Sequence, residues 1–448
     1  CSMNKPLTRK TVLYIAWPII LSNLSTPLLG LVDTAVIGNL GNPALIGAIA
    51  IGAMIFSFIY WGFGFLRMGT TGLIAQCRGA EDNDGAKAAF YRALILAISI
   101  GLILLLFQNV LSGFAFSVID GSPAVEEAAA TYFGIRIWTA PLSLTHLVVM
   151  GYLLGHQKSK TILWIQLLLN GTNIVLDFVF VVGFGWGVEG IAMATVIAEI
   201  IATTVGIFIV YRHMKSRYGS ISVPMSIVRD LQAVRRTLSV NRDIMIRTLT
   251  LIFAFAWFTN QGAKSGDVML ATNAILMQFV SFSAFFLDGY ALAAESLIGT
   301  AVGAKNRNGF DRTLRYICEL GFLTAAILTT AIFLAGPALI DLLTNVQEVR
   351  NTTRTYLLWA VAAPVISLWC YLLDGVFIGA TCTREMRNAM LVSLLAYLAA
   401  WYLLTPVFLN HGLWLSLHVY FVARALTLWY YLPNVRSLLR PPGLASTS

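Results

Sequence analysis

Nine ionisable residues within the long apolar stretches of this chain are candidates for chemistry: Asp33, Asp177, Glu199, Asp288, Glu295, Asp374, Arg67, Arg136 and Arg424. A charged side chain near the middle of a bilayer costs about 3 kcal/mol on insertion scales, so each needs a partner or a task. An internal ion pair or a helix-to-helix hydrogen bond would account for any one of them. The six acids together point instead to a route for protons or cations. The densest pattern is Gln166, Asn170, Asn173 and Asp177, at i, i+4, i+7 and i+11, which form one polar stripe along a helix. Inter-helix hydrogen bonds use such stripes, but four positions in line that end in a carboxylate fit the wall of a hydrated pocket better. Thr195 and Glu199 repeat the i, i+4 spacing on the next apolar stretch. Asp33 lies six residues after Pro27 and fifteen after Pro18. A proline inside a helix removes a backbone hydrogen bond and bends it, so a kinked helix carrying a buried acid is expected to couple protonation to bending. A static kink beside a satisfied acid would leave the same trace. Asn173 and Asp177 are the expected partners of Asp33, and two carboxylates in one pocket should titrate as a unit. Asp288 and Glu295, at i, i+7, and Asp374 are secondary candidates in the second half of the chain.

Other chemistry finds no residues to carry it. The chain has no G-x-x-x-x-G-K-[ST] loop for nucleotide phosphates, no nucleophile elbow and no zinc spacing. Cys1, Cys77, Cys318, Cys370 and Cys382 show no paired spacing and read as small apolar fillers and thiols. His146, His156, His213, His411 and His418 are scattered without ligand spacing, so neither a metal centre nor a cofactor is expected. The Asn-x-Thr matches at Asn170 and Asn351 are chance sequons. No enzymatic activity is expected.

Composition supplies the elements that position these residues. The 448 residues are 58% hydrophobic and 11% charged, against about 25% charged in a soluble domain. Mean hydropathy is +0.77. The recurring apolar stretches are long enough to cross a hydrocarbon core about 30 Å thick as helices. The alternating segments of about ten residues that mark a membrane barrel are missing. The chain is expected to be an all-α membrane protein with twelve transmembrane helices, at 11–40, 44–75, 88–112, 126–156, 160–182, 188–212, 241–262, 268–300, 314–336, 353–380, 386–408 and 411–432. The first is too long for a signal peptide and carries an acid. Met3 reads as the native start, behind an added Cys1 and Ser2. Net charge is +9, and its placement sets the topology. With the N-terminus inside, 24 Lys and Arg fall on one side, eight of them around the segment joining the halves, against Lys264, Arg350 and Arg354 on the other. That bias places both termini in the cytoplasm and the protein in the inner membrane. The basic excess is topological, and no nucleic-acid partner is expected.

The chain also repeats itself at an offset of half its length. Gly79-Ala80 with Gly85 matches Gly303-Ala304 with Gly309, and Leu73-Ile74 matches Leu297-Ile298. Thr131-Tyr132 matches Thr355-Tyr356, and Gly151 with Gly155 matches Gly375 with Gly379. Chance supplies one such match but not four clusters at one offset. Six spans per half make the halves parallel repeats, with substrate expected between them. The expected division is an N-terminal six-helix lobe over 1–213, a cytoplasmic linker over 214–240, and a C-terminal six-helix lobe with a short tail over 241–448. Within the linker Ile227, Val228, Leu231, Val234 and Leu238 recur at helical spacing, which predicts a short helix on the cytoplasmic surface. The seventh span offers Trp257, Asn260 and Gln261 but no acid before Asp267.

The run Pro27-Leu28-Leu29-Gly30-Leu31-Val32-Asp33-Thr34-Ala35-Val36-Ile37-Gly38 resembles the first-helix signature of MATE (multidrug and toxic compound extrusion) transporters, in their DinF-like branch. Phe65-Leu66-Arg67-Met68 with Thr70-Thr71-Gly72, Asn173-x-x-x-Asp177, and Leu372-Leu373-Asp374-Gly375 with Phe377-Ile378-Gly379-Ala380 extend the similarity. Arg384-Glu385-Met386-Arg387-Asn388 closes it. The resemblance implies two six-helix lobes in a V, alternating access by rocking of the lobes, and export of organic cations against an H⁺ or Na⁺ gradient. It implies that Asp33 and Asp177, with Asn173 and Thr195, form a proton and substrate network, to which position adds Thr26, Asn170 and Glu199. Pro18 matches the proline at which the first helix bends in relatives. Thr26 stands where some relatives carry an amide, and the seventh helix lacks the acid of the Na⁺-coupled branch. The expected function is therefore a proton-coupled antiporter of cationic or amphipathic compounds, acting as a monomer in the lipid bilayer. The alternatives are a Na⁺-coupled exporter using Asp374 and a flippase for lipid-linked precursors, which would favour an arginine-lined cavity.

Overall fold

The computed structural model describes residues 7–38, 41–119 and 121–439, with only the backbone of Thr34, so the expected start at Cys1, Ser2 and Met3 lies outside the described residues. Those residues fold into helices and connecting turns. The first half holds α1 (Arg9–Gly38), α2 (Pro43–Gly62), α3 (Phe65–Gly79), α4 (Asn83–Leu106), α5 (Gln108–Val118), α6 (Pro123–Arg136), α7 (Ala140–Gly155), α8 (Ser159–Asp177) and α9 (Val188–Tyr218). The second half holds α10 (Met225–Val228), α11 (Leu231–Lys264), α12 (Asp267–Gly303), α13 (Arg307–Leu343), α14 (Gln347–Gly379), α15 (Thr383–Phe408) and α16 (Asn410–Ser437). Among the described residues ten helical runs are long and apolar enough to cross a membrane, counting α2 with α3 and α6 with α7 as one run each. Helices α11 and α16, of 34 and 28 residues, complete the expected twelve. The third span breaks at Phe107, between α4 and α5, rather than running to residue 112.

The repeat reappears in the helix boundaries. Pro43, Asn83, Pro123 and Ser159 open α2, α4, α6 and α8. Asp267, Arg307, Gln347 and Thr383 open α12, α13, α14 and α15, each at the same half-chain offset from its counterpart. The turns match too. Asp82 caps α4 by accepting from the Gly85 amide at 2.8 Å, and its counterpart Asn306 caps α13 by accepting from the Gly309 amide at 2.9 Å. The repeated glycines mark backbone contact. A Cβ on Gly151 would stand 2.5 Å from the Arg67 carbonyl oxygen, and one on its counterpart Gly375 would stand 2.3 Å from that of Ala291. Each half therefore packs its second spanning run against its fourth at van der Waals contact of the backbones.

The joining segment differs from the expected surface helix. Met225–Val228 forms a helix of only four residues, and Leu231 opens α11, which runs unbroken to Lys264. Asp230 starts it by accepting from the Ala233 amide at 2.9 Å. The apolar positions Leu231, Val234 and Leu238 are thus the first turns of the seventh spanning helix, because no glycine or proline interrupts the chain between them and Arg242. The segment before it is held by α4. Lys87 Nζ donates to the Ser222 carbonyl at 2.7 Å, Tyr91 Oη to that of Ile221 at 2.7 Å, and Arg92 Nη1 to that of Ile227 at 3.0 Å.

Two compact units emerge, one of residues 7–20, 75–81 and 242–439 and the other of the described residues within 21–74 and 82–241. Helices α1, α3 and α11 each contribute to both. The first unit centres on Phe258, Tyr397, Trp414, Tyr420 and Phe421. It buries a reciprocal amide pair, Asn273 and Asn410, each donating to the other at 2.9 Å. Within it Gly79 and Gly303 face each other's helices: a Cβ on Gly79 would lie 2.0 Å from the Thr300 carbonyl oxygen, and one on Gly303 would lie 2.0 Å from that of Gln76. In the second unit α8 packs on α9, α4 on α7, and α6 on both α2 and α9.

Candidate functional site

The polar stripe of α8 turns into the second unit, where it meets α1 and α9. Gln166 donates to Asn170 Oδ1 at 3.2 Å, and Asn170 Nδ2 donates to Ser25 Oγ of α1 at 2.8 Å. Thr26, one residue on, is exposed, so it is Ser25 that ties the stripe to α1. Asn173 Nδ2 donates to Thr195 Oγ1 at 3.2 Å, and Thr195 in turn donates to the Ile191 carbonyl within α9. Asp177 is fully buried at the end of α8, where a π-helical turn over Phe178–Gly183 follows it. Asp33, half-buried on α1, stands carboxyl to carboxyl with Asp177, close enough for one to donate to the other once a proton is present. Among the described residues, Asp33 Oδ1, Asn173 Oδ1 and both carboxylate oxygens of Asp177 are buried without a donor. Unsatisfied buried acceptors of this kind are rare because each forfeits its hydration.

Glu199 shares α9 with Thr195 but serves a different neighbour. Its Oε1 lies 3.5 Å from Arg136 Nη2, and its Oε2 accepts from Ser143 Oγ at 2.7 Å. Arg136 also donates to Tyr132 Oη at 3.1 Å. Its guanidinium carbon sits 4.5 Å from the Phe56 ring centre, 5.7 Å from that of Tyr132 and 5.9 Å from that of Tyr60. The charge of Arg136 reaches Asp33. Pro18 and Pro27 both lie inside α1, which is helical throughout, and the boundary between the two units crosses α1 between Ile20 and Leu21.

The acids of the second half are arranged otherwise. Asp374 on α14 is buried, and its Oδ2 accepts from Arg247 Nη2 of α11 at 2.6 Å and from Arg424 Nη2 of α16 at 2.5 Å. Arg247, counted above with the basic residues around the joining segment, is a buried intramembrane cation instead. Asp288 on α12 acts electrostatically on Cys370 and Tyr371 of α14, and Glu295 is buried where its backbone carbonyl meets Gly379. One turn nearer the start of α11, Asp243 accepts from Arg387 Nη1 of α15 at 2.8 Å and from Thr383 Oγ1 at 3.4 Å. Sequence reasoning missed Ser25, Ser143, Tyr132, Arg247 and Asp243. The two serines carry no pattern of their own, Tyr132 is marked only by its repeat match to Tyr356, and the last two look like ordinary members of a basic loop.

A sequence profile of the MatE family matches residues 18–179 and 244–403, one stretch in each half. The chain belongs to the MatE family. It is 40% identical over 419 residues to the DNA damage-inducible protein F of Escherichia coli (strain K12), covering 94% of this chain and 91% of that one. A probable multidrug resistance protein NorM of Acinetobacter baylyi is 24% identical, over 89% of this chain and 88% of its own length. Among solved structures, a MOP superfamily transporter from Pyrococcus furiosus superposes with a TM-score of 0.85 across 97% of both chains at 18% identity, which speaks for the fold. As a MatE-family protein the chain is a multi-pass membrane transporter of the multidrug-efflux kind and not an enzyme. The twelve-helix, two-repeat fold and the DinF-like resemblance both hold.

Proposed function

We propose that this MatE-family transporter is a proton-coupled antiporter of the inner membrane, with both termini cytoplasmic, that exports organic cations or cationic amphipaths as a monomer. The observation that carries the reading is the set of donor-less acceptors around Asp33 and Asp177. Two carboxyls in contact share a proton readily and give it up when a cation supplies the missing charge. Proton and substrate cation then compete for one pocket, which is the minimal requirement of antiport. Rocking of two lobes, divided at the segment 214–240, would expose that pocket to each side in turn.

Sodium coupling through Asp374 finds less support. A Na⁺ ion needs several oxygen ligands with unspent negative charge, and Arg247 and Arg424 both contact Asp374 Oδ2, which leaves only Oδ1 without a partner among the described residues, beside two positive charges. The flippase alternative needs arginines available to phosphate, whereas Arg247 and Arg424 are both committed to Asp374. The test is efflux of tetraphenylphosphonium from proteoliposomes. It should follow an imposed pH gradient, ignore an Na⁺ gradient at clamped pH, and vanish in Asp33→Asn and Asp177→Asn. Wild-type efflux driven by Na⁺ alone would transfer the coupling role to the second half. Undiminished efflux by Asp33→Asn would show the coupling residue to lie elsewhere.

A further inference from the structure

We infer that Arg136 is a movable counter-ion that links the Asp33–Asp177 proton site to a separate cation-binding site formed by Glu199, Phe56, Tyr60 and Tyr132, whose ligand is a delocalised organic cation. The inference deepens the antiport reading above and rests on it. Three aromatic rings around one cationic carbon, at 4.5, 5.7 and 5.9 Å, form the kind of box that binds organic cations by their ring faces. Glu199 supplies its counter-charge. The occupant in this structure is the chain's own Arg136.

Arg136 is held there chiefly by the rings and by its 3.1 Å hydrogen bond to Tyr132 Oη, and only weakly by its counter-charge. Its contact with Glu199 is 3.5 Å, long beside the roughly 2.7–2.9 Å of a strong charge-assisted hydrogen bond. Its Nε is buried without an acceptor among the described residues. A purely structural arginine would be expected to close these bonds. Its charge also reaches Asp33, and Asp33 and Asp177 carry three donor-less carboxylate oxygens between them. One guanidinium therefore has two anionic destinations. The remaining titratable groups facing it are Tyr60 of α2, Tyr132 of its own helix and, through Glu199, His146 of α7.

The charge on the Asp33–Asp177 pair decides between the destinations. While the pair shares a proton it carries one negative charge, the same as Glu199, and the aromatic rings tip Arg136 toward Glu199. Loss of that proton adds a second negative charge to the pair and draws the guanidinium to the donor-less oxygens. The box and Glu199 are then vacant for an external cation. One proton leaves as one monovalent cation enters, so the charge within the unit is the same before and after. Reprotonation returns Arg136 to the box and expels the ligand.

Equilibrium binding of tetraphenylphosphonium to the purified full-length protein in detergent, with proton release followed by an indicator dye, tests the scheme. Wild-type affinity should be about tenfold or more higher at about pH 8 than at about pH 6, with one proton released per cation bound. Asp33→Asn should bind weakly at both pH values, because Arg136 stays in the box. Adding Arg136→Gln to Asp33→Asn should restore tight, pH-independent binding. If Asp33 instead contacts the cation directly, the double variant stays as weak as Asp33→Asn, and the inference falls while the antiport reading stands. Glu199→Gln should weaken binding about tenfold or more at both pH values, and wild-type affinity in that variant also overturns the inference. Should the Arg136 variant fail to fold, Glu199→Gln and Phe56→Leu decide the matter by the same criterion. Absence of any binding by the wild type removes both the antiport reading and the inference.

Discussion

Asp374 lies between two guanidinium groups, so replacing it by alanine leaves Arg247 and Arg424 buried without their counter-charge. Removing one partner of a buried ion pair costs about 3–5 kcal/mol. We expect Asp374→Ala to lower the melting temperature in detergent sharply and to reduce the yield of monodisperse protein. Asp33→Asn and Asp177→Asn should melt close to wild type, because the amide supplies donors to a pocket that lacks them. If Asp374→Ala melts like wild type, the arginine pair has other counter-charges and the case against sodium weakens. Asp374 and Asp33 occupy apolar runs of similar character, yet one is held in a buried ion pair and the other faces a second carboxyl. What separates them is which basic residue stands opposite, and that residue lies 127 positions away in the case of Arg247.

Helix α1 connects two compact units, with Pro18 buried just before the boundary and Asp33 well beyond it. Pro18→Ala restores a backbone hydrogen bond and stiffens the helix at that point. Transport should fall more than tetraphenylphosphonium binding in Pro18→Ala. Full transport in both Pro18→Ala and Pro27→Ala would leave Asp33 a binding residue without a bend to drive. A second element is the segment before α11, which three side chains of α4 hold by its carbonyls. Each such bond contributes about 1 kcal/mol. The variant Lys87→Ala with Arg92→Ala should therefore become more sensitive to trypsin near Arg229, with the rest of the chain intact. An unchanged digestion rate would mean that packing, not these bonds, holds the segment.

At the scale of the molecule the repeat rests on contacts that admit only glycine. Gly79 and Gly303 each bring a carbonyl of the other's helix to within 2.0 Å of where a Cβ would stand. Valine at either position must push backbone against backbone, at a cost of about 1–3 kcal/mol or more. We expect Gly79→Val and Gly303→Val to abolish transport and broaden the size-exclusion profile. Gly113→Val on α5, where nothing lies within 4 Å of a Cβ, should be tolerated. Equal behaviour of all three would mean that the glycine match between the two halves has no packing role.

The sequence by itself determined the twelve helices and their parallel repeat. Both are one-dimensional properties: an apolar run has a length, and caps such as Asp82 and Asn306 or contacts such as Gly151 and Gly375 recur at a fixed spacing. It also determined that Asn170, Asn173 and Asp177 share one face, since helical periodicity alone fixes that. Tertiary structure decided what that face meets. Periodicity says which residues of one helix point together but not which helix stands opposite, so Ser25 rather than Thr26 receives Asn170. Arg136 with Glu199, and Arg247 with Asp374, are likewise joined across 63 and 127 residues of chain. His156 and His213, scattered in sequence, meet edge to face with ring centres 4.7 Å apart. The same physics moved the start of the seventh span to Leu231, because a capped helix without glycine or proline continues beyond the membrane boundary that hydropathy marks.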